Sequence, residues 1–399
     1  MPLPIYYVGT SAEVEHHARP LTAKFDVRIE NSESVVRLAR PGDVCIFFNE
    51  YFPRYRVANH TLVQRQCATL YAMDGISEWR NLWDFPPELC CQWIGRPILS
   101  HKLACVGRSQ ARLFESWGLA DQCEIVGIPR LDDLMGCLPR VRQADQPFTI
   151  LILTAKCPGF DRGQLKITTQ SLVDLKKWLA RHRTVNGVPV RPLWRITQGL
   201  ESEVGVENSL RDTMGKDLAK TLARVDAMIT TPSTAMLEGM IQQIPVALLD
   251  YHNCPHYVPA AWSITAGTHF DQVIPELISP PPAKMLWQQH LLHDALECAS
   301  PSLPRLCELI HRMHELAAQC LAEGRPVSFP KHILRRPTEE PPAPTLPMDY
   351  ERLFPTNAAF ANYDVRRLQA EVADLREASA TLAADLRDLS NRMFGMDAA

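Results

Sequence analysis

Long hydrophobic runs are missing from this 399-residue chain: nowhere do 18 apolar residues follow one another, and the opening stretch MPLPIYYVGTSAEVEHHARP has neither the basic segment nor the apolar core of an export signal. No transmembrane segment is expected, and a cytoplasmic protein is. A surplus of charge is missing too. Lys and Arg (42) nearly balance Asp and Glu (45), for a formal net charge of −3, so there is no overall pull toward nucleic acid or an anionic membrane and any anion site must be local. Closely spaced thiols are the third absence. The 12 cysteines are scattered, include the vicinal pair Cys90 and Cys91, and form no CxxC pair, which points to reduced thiols rather than a disulfide framework or a metal site.

Alternation is what the chain does have. Short β-branched or aromatic runs interrupt polar helical stretches over the first 145 residues: IYYVG (5–9), DVCIFF (43–48), ATLYAM (68–73), LACVG (103–107) and CEIVG (123–127). Such alternation builds βαβ units on a parallel sheet. A second series starts with TILILT (149–154), the nearly continuous apolar run of a strand covered on both faces. It continues through PLWRIT (192–197), DAMITT (226–231) and PVALLDY (245–251), with helices over about 169–182, near 214–224 and from Ser233. The expected fold is therefore α/β, with two doubly wound domains at residues 1–145 and 146–324. Helices over Lys284–Cys298 and Leu303–Glu323 are expected to close the second domain, the latter with Leu306, Leu309, Ile310, Met313, Leu316, Ala317 and Leu321 on one face.

Seven prolines between residues 325 and 348 suit an extended tether, assigned to residues 325–362. Residues 363–396 then carry a heptad, with Val365, Val372, Ser379, Leu386 and Met393 at a and Leu368, Leu375, Leu382 and Leu389 at d. Val at a with Leu at d favours a parallel dimer. A single amphipathic helix behind such a tether would leave its leucine stripe in water. A C-terminal coiled coil is expected, pairing two copies as a homodimer or docking the chain to another protein of a biosynthetic complex.

The strongest site signal is DAMITTPSTAMLEGMIQQIPVALLDY (226–251). A strand ends at Thr230-Thr231, Pro232 turns the chain, and Ser233-Thr234 open a helix whose free N–H groups and dipole suit a phosphate. Glu238, one turn on, is placed to reach ribose hydroxyls. An ordinary N-cap with a solvated glutamate accounts for the same residues. A second stretch is HKLACVGRSQARLFESWGLADQCEIVGIPRLDDL (101–134), with a helix ending near Gly118 and a strand finishing in Gly127-x-Pro129-Arg130-x-Asp132. Together the two stretches resemble GT-B glycosyltransferases. Their donor loop has a strand ending in Ser or Thr, a small-residue turn, a Glu on the helix and a Pro opening the next strand, here Thr231, Ser233, Thr234, Glu238 and Pro245. The resemblance spans roughly residues 1–325.

That resemblance implies two Rossmann-like domains facing a cleft, a nucleotide sugar as co-substrate, and neither a cofactor nor a metal. Arg108, Arg130 and Lys156, each beyond a strand end, would meet the donor phosphates. One of His252 and His256, in DYHNCPHYVPAAW, would border the nucleotide, although capping or packing suits both equally. Thr230 stands where the first glutamate of a retaining pair would be, which leans toward an inverting enzyme whose acceptor proton goes to a carboxylate of the first domain. The candidates lie in CATLYAMDGISEWRNLW: Asp74, beyond a strand's carboxyl end where ligands of open α/β sheets gather, and Glu78, with Trp79 or Trp83 to stack on a sugar ring. Asp74-Gly75 as a plain turn before a solvated helix start is the alternative. The pairs His290 with His293 and His311 with His314 lack a recognisable third metal ligand.

The implied activity is transfer of a sugar to a polysaccharide or lipid-linked acceptor in cell-surface glycan synthesis, at the inner face of the membrane where the acceptor is a lipid. A CDP-polyol phosphotransferase is one alternative, though its His-Gly and Asp-Tyr-Ser-Ser signatures are replaced by Asp74-Gly75 and Thr-Pro-Ser-Thr. Sugar-nucleotide epimerases are a poorer one, lacking support from Gly-Asn-Thr or His-Arg-Glu-Asn motifs. The third alternative is a non-catalytic GT-B-like scaffold assembling through its coiled coil.

Overall fold

The computed structural model describes residues 2–73, 75–82, 98–136, 142–143, 145–196, 199–206, 215–297, 300–335, 372–377 and 379–384. Strands β1 (Pro4–Val8), β2 (Asp26–Glu30), β3 (Val44–Phe47), β4 (Ala68–Ala72), β5 (Lys102–Cys105) and β6 (Cys123–Ile125) form a parallel sheet in the order β2-β1-β3-β4-β5-β6. Alternation decides its faces: Ile5 and Tyr7 join one core, Tyr6 and Val8 the other. A second sheet holds β7 (Phe148–Leu153), β8 (Thr184–Val185), β9 (Val188–Arg195), β10 (Ala227–Thr230), β11 (Val246–Leu249) and β12 (Trp262–Ile264), in the order β12-β11-β10-β7-β9-β8. All its pairings are parallel except β8 with β9. There Asn186 and Gly187 both take positive φ, 50° and 79°, as a two-residue hairpin turn requires.

Two doubly wound α/β domains are thus present, and three strands go beyond the sequence reading. β2 reads DVRIE and is half-solvated at the sheet edge, so its charges disguise it, while β8 and β12 have two and three residues. β7, in contrast, is buried at all six positions.

One expectation needs correction. The helix Ser302–Ala322 does not close the second domain; Leu306, Leu309, Ile310, Met313 and Ala317 pack against Ile5, Tyr7, Val44 and Ile46 of the first sheet. Each large side chain buried there contributes roughly 1.5–3 kcal/mol. The motif around Gly127 explains the crossing. Asp132 takes the N–H groups of Ser302 (2.8 Å) and Leu303 (2.8 Å), capping a helix whose own N-cap is Pro301. Gly127 has φ +98°, and a Cβ there would come within 2.2 Å of Ser302 Oγ.

The start of the assigned tether is corrected as well. Residues 325–335 strap the first domain: Val327 and Leu334 are buried in the same core, and the Val327 N–H donates to Gln66 Oε1 at 2.8 Å. Beneath the strap lies a fully buried lysine. Lys102 Nζ donates to the carbonyls of Asp121 (2.8 Å), Pro330 (2.7 Å) and Lys331 (2.9 Å) and pairs with Glu124 (3.0 Å), which also accepts from the N–H groups of Ile333 (2.7 Å) and Leu334 (3.1 Å). Residues 336–362 lie outside the described residues, as do Val365, Leu368, Leu386, Leu389 and Met393 of the heptad; residues 372–377 and 379–384 are helical. Among the described residues no helix is long and apolar enough to cross a membrane.

Candidate functional site between the two sheets

The carboxyl ends of the two sets of strands meet. After β4, Gln110 fastens residues 75–77, donating from Nε2 to Gly75 O (3.2 Å) and Ser77 Oγ (3.2 Å) while its Oε1 accepts from Val106 N–H (2.7 Å). That segment then touches the opposite domain. The Ile76 N–H donates to Thr234 Oγ1 at 3.1 Å, and a Cβ on Gly75 would sit 2.2 Å from the same oxygen, so only glycine permits the approach. Thr234 is the N-cap of the helix Ala235–Ile241, yet its hydroxyl makes no cap bond and serves this contact between domains. Arg80 reaches further, donating to the carbonyl of Pro158, beyond β7, at 2.9 Å. Trp79 and Tyr257 face one another across the join with ring centroids 6.3 Å apart. Behind these groups the seam is apolar, with Val106, Ile128 and Leu131 packed into one core with Met236, Leu237 and Met240.

Two charged groupings span the seam. In the first, Arg130, from the turn after β6, bonds Glu238 at 2.9 Å, and the glutamate is almost fully buried. In the second, buried Arg80 holds Glu78 at 2.7 Å and lies in the electrostatic field of Asp250, the residue directly after β11. Burial opposes the charge on Arg80, but Glu78 and Asp250 outweigh it and hold the guanidinium above its ordinary pKa. Burial pushes the Glu78 carboxyl up, against the pull of Arg80. For Asp250 burial likewise works against ionisation; the fields of His256, Arg80 and His252 and the Cys254 N–H (3.2 Å) overcome it, leaving the pKa below the usual range.

His256 places Nε2 3.3 Å from Asp250 Oδ2, and burial lowers its pKa. A proton on Nε2 is thereby favoured, leaving Nδ1 as an acceptor. His252 is pushed down to about 4 by burial, with Asp250 pulling the other way, and contacts Thr168 Oγ1 and Gln164 O instead. The other oxygen of Asp250, Oδ1, is buried with no hydrogen-bond partner among the described residues. A buried acceptor without a donor is costly in the protein alone.

No family model matches the chain, and no curated protein matches it. Solved structures do. A putative UDP-N-acetylglucosamine 2-epimerase from Listeria monocytogenes superposes with a TM-score of 0.55 at 10% identity, covering 83% of this chain and 100% of the other. S. aureus MnaA, solved with UDP, gives 0.52 at 12% identity, with 82% and 100% covered. The H444N variant of the wall teichoic acid polymerase TagF gives 0.52 at 13% identity, with 79% and 90% covered. The fold is GT-B.

Within this GT-B frame the sequence-derived site residues fall as follows. Arg130 and Glu238 are brought together as an ion pair, and Glu78 stands in the second charged grouping with His256. Thr231 is buried, its Oγ1 accepting from Ala155 N–H at 2.7 Å, and Ser233 Oγ lies 3.3 Å from Thr230 Oγ1. Thr234 is engaged by Ile76. Lys156 is exposed in the loop after β7, and Arg108 is half-buried at the start of the helix Arg108–Ser116. Asp74 and Trp83 lie outside the described residues. The residue that sequence reasoning missed is Asp250. Its signal was an acid directly following a fully apolar strand, VALL, at the carboxyl edge where ligands of such sheets gather. Among the described residues no group of three metal-ligating side chains occurs.

Proposed function

We propose that the protein is a glycosyltransferase that uses a nucleotide-sugar donor and builds a polysaccharide or lipid-linked surface glycan. The observation that carries this reading is the meeting of Arg130–Glu238 and Glu78–Arg80–Asp250–His256 at the facing carboxyl ends of two parallel sheets. In this reading the donor lies between the sheets, with Glu238 on its ribose and its phosphates against Arg130, Lys156, Arg108 and the turn Thr231 to Thr234. The acceptor oxygen attacks the anomeric carbon as the bond to the diphosphate breaks. The leaving diphosphate takes the electron pair, and the cationic groups balance its charge. The acceptor proton passes to a carboxylate of the segment 74–78, Asp74 or Glu78. The unpartnered oxygen of Asp250 accepts a hydroxyl of the transferred sugar, and His256 holds Asp250 in place.

The test is isothermal titration and thermal melting against UDP, GDP, CDP, CMP and dTDP. One nucleotide is expected to stabilise the fold by about 2.7 kcal/mol at a hundredfold excess over its Kd. Glu238→Ala is expected to weaken that nucleotide at least about tenfold, equivalent to about 1.4 kcal/mol. Preference for CDP would move the reading to polyol-phosphate transfer, and a folded protein that binds none of the five would end it.

A further inference from the structure

The helical residues 372–377 meet the body of the protein by their polar edge. Asp374 Oδ1 accepts from Lys166 Nζ at 2.7 Å, and Glu377 pairs with Arg162 at 3.4 Å, both partners lying in the first turns of the helix Arg162–Arg181. In the heptad register Asp374 is at c and Glu377 at f, on the side opposite a and d. The apolar stripe therefore faces away: Val372, Leu375 and Leu382 are 43%, 69% and 62% exposed. They make up three of the five exposed large apolar side chains among the described residues. A helix that rested on its own domain would turn this stripe inward. Exposed ion pairs such as these two contribute little stability, so they set the direction of the stripe without compensating for its exposure.

We propose that the stripe is the seam of a parallel, in-register coiled coil with a second copy of this chain. Four observations select that occupant. The a and d positions repeat over 363–396, a length of chain that spans more than four heptads. Val at a with Leu at d is the two-stranded parallel pattern. The g and e positions are complementary to themselves in that register, since Glu371 at g faces Arg376 at e of the other copy, while Ala378 at g faces Ala383 at e. The body contacts among the described residues, Asp374 with Lys166 and Glu377 with Arg162, fall at c and f. The Lys166 and Arg162 pairs would then anchor each strand of the coil beside the loop that follows β7, so the two catalytic bodies project from one stalk. This inference is independent of which reaction the cleft performs.

Light scattering on the full chain tests it. The expected mass is twice the 45.0 kDa of the chain, falling to 45.0 kDa in the double variant Leu375→Asp, Leu382→Asp with the melting temperature of the body unchanged. A wild-type chain of single mass at about 100 µM, or a double variant that stays paired, would overturn the proposal. Orientation is read from charge exchange: Arg376→Glu should weaken pairing about threefold or more, and Glu371→Arg added to it should restore pairing. Absence of that rescue would refute the parallel register.

Discussion

The buried charge under the strap of the first domain and the buried charge between the two sheets are built differently. Lys102 and Glu124 are saturated: every donor of the lysine has a carbonyl or carboxylate, and both oxygens of the glutamate carry further backbone N–H groups. The grouping between the sheets is not, because Asp250 keeps one buried oxygen without a donor among the described residues and stands with one further carboxylate (Glu78), one guanidinium (Arg80) and two histidines (His252 and His256). A saturated buried pair fastens structure. An unsaturated one with titratable neighbours costs stability in the protein alone, and on the proposed reading that is where the donor sugar binds.

The sharpest way to break this contrast is Lys102→Met. It leaves Glu124 buried without its cation and should cost about 3–5 kcal/mol of stability in urea unfolding, with residues 325–335 becoming open to proteolysis. A loss under about 1 kcal/mol would mean the pair does not clasp the strap. Acid titration tests both regions at once. His101, which packs beside Phe329 of the strap, and His252, in the cleft, are each pushed by burial to about 4 in the folded chain. Above pH about 6.5 both states leave these rings neutral. As pH falls from there toward 4 the unfolded chain takes up protons that the folded chain refuses, so stability falls, by up to about 3 kcal/mol per histidine, and levels off below. His252→Gln should remove its share of that slope in thermal melts across pH 4–7, and an unchanged slope would count against a buried neutral ring. The smallest effect on folding is expected for Asp250→Asn, within about 1 kcal/mol, together with a loss of transfer of about a hundredfold. A stability loss as large as that of Lys102→Met would make Asp250 a second clasp.

Of the candidate site, the loop from Thr230 to Glu238 and the turn at Pro129-Arg130 stood out in the sequence because both follow a strand end, and the structure places both at the seam between the sheets. Their pairing was not legible, since Arg130 and Glu238 are 108 residues apart and meet at 2.9 Å only because two sheets face each other. Asp250 escaped notice for the related reason that an acid after a strand is common, and its isolation shows only once its neighbours are placed.

The α/β class and the central strands could be read from the amino-acid order, because a nearly continuous apolar run such as FTILIL, bounded by polar segments, fits a strand of a sheet covered on both faces. The sequence by itself determined the helical face of Ser302–Ala322 through 3.6-residue spacing, but not which sheet that face would cover. That choice belonged to tertiary structure: Asp132 and Gly127 capture the start of the helix on the first domain, and a hydrophobic stripe carries periodicity without an address.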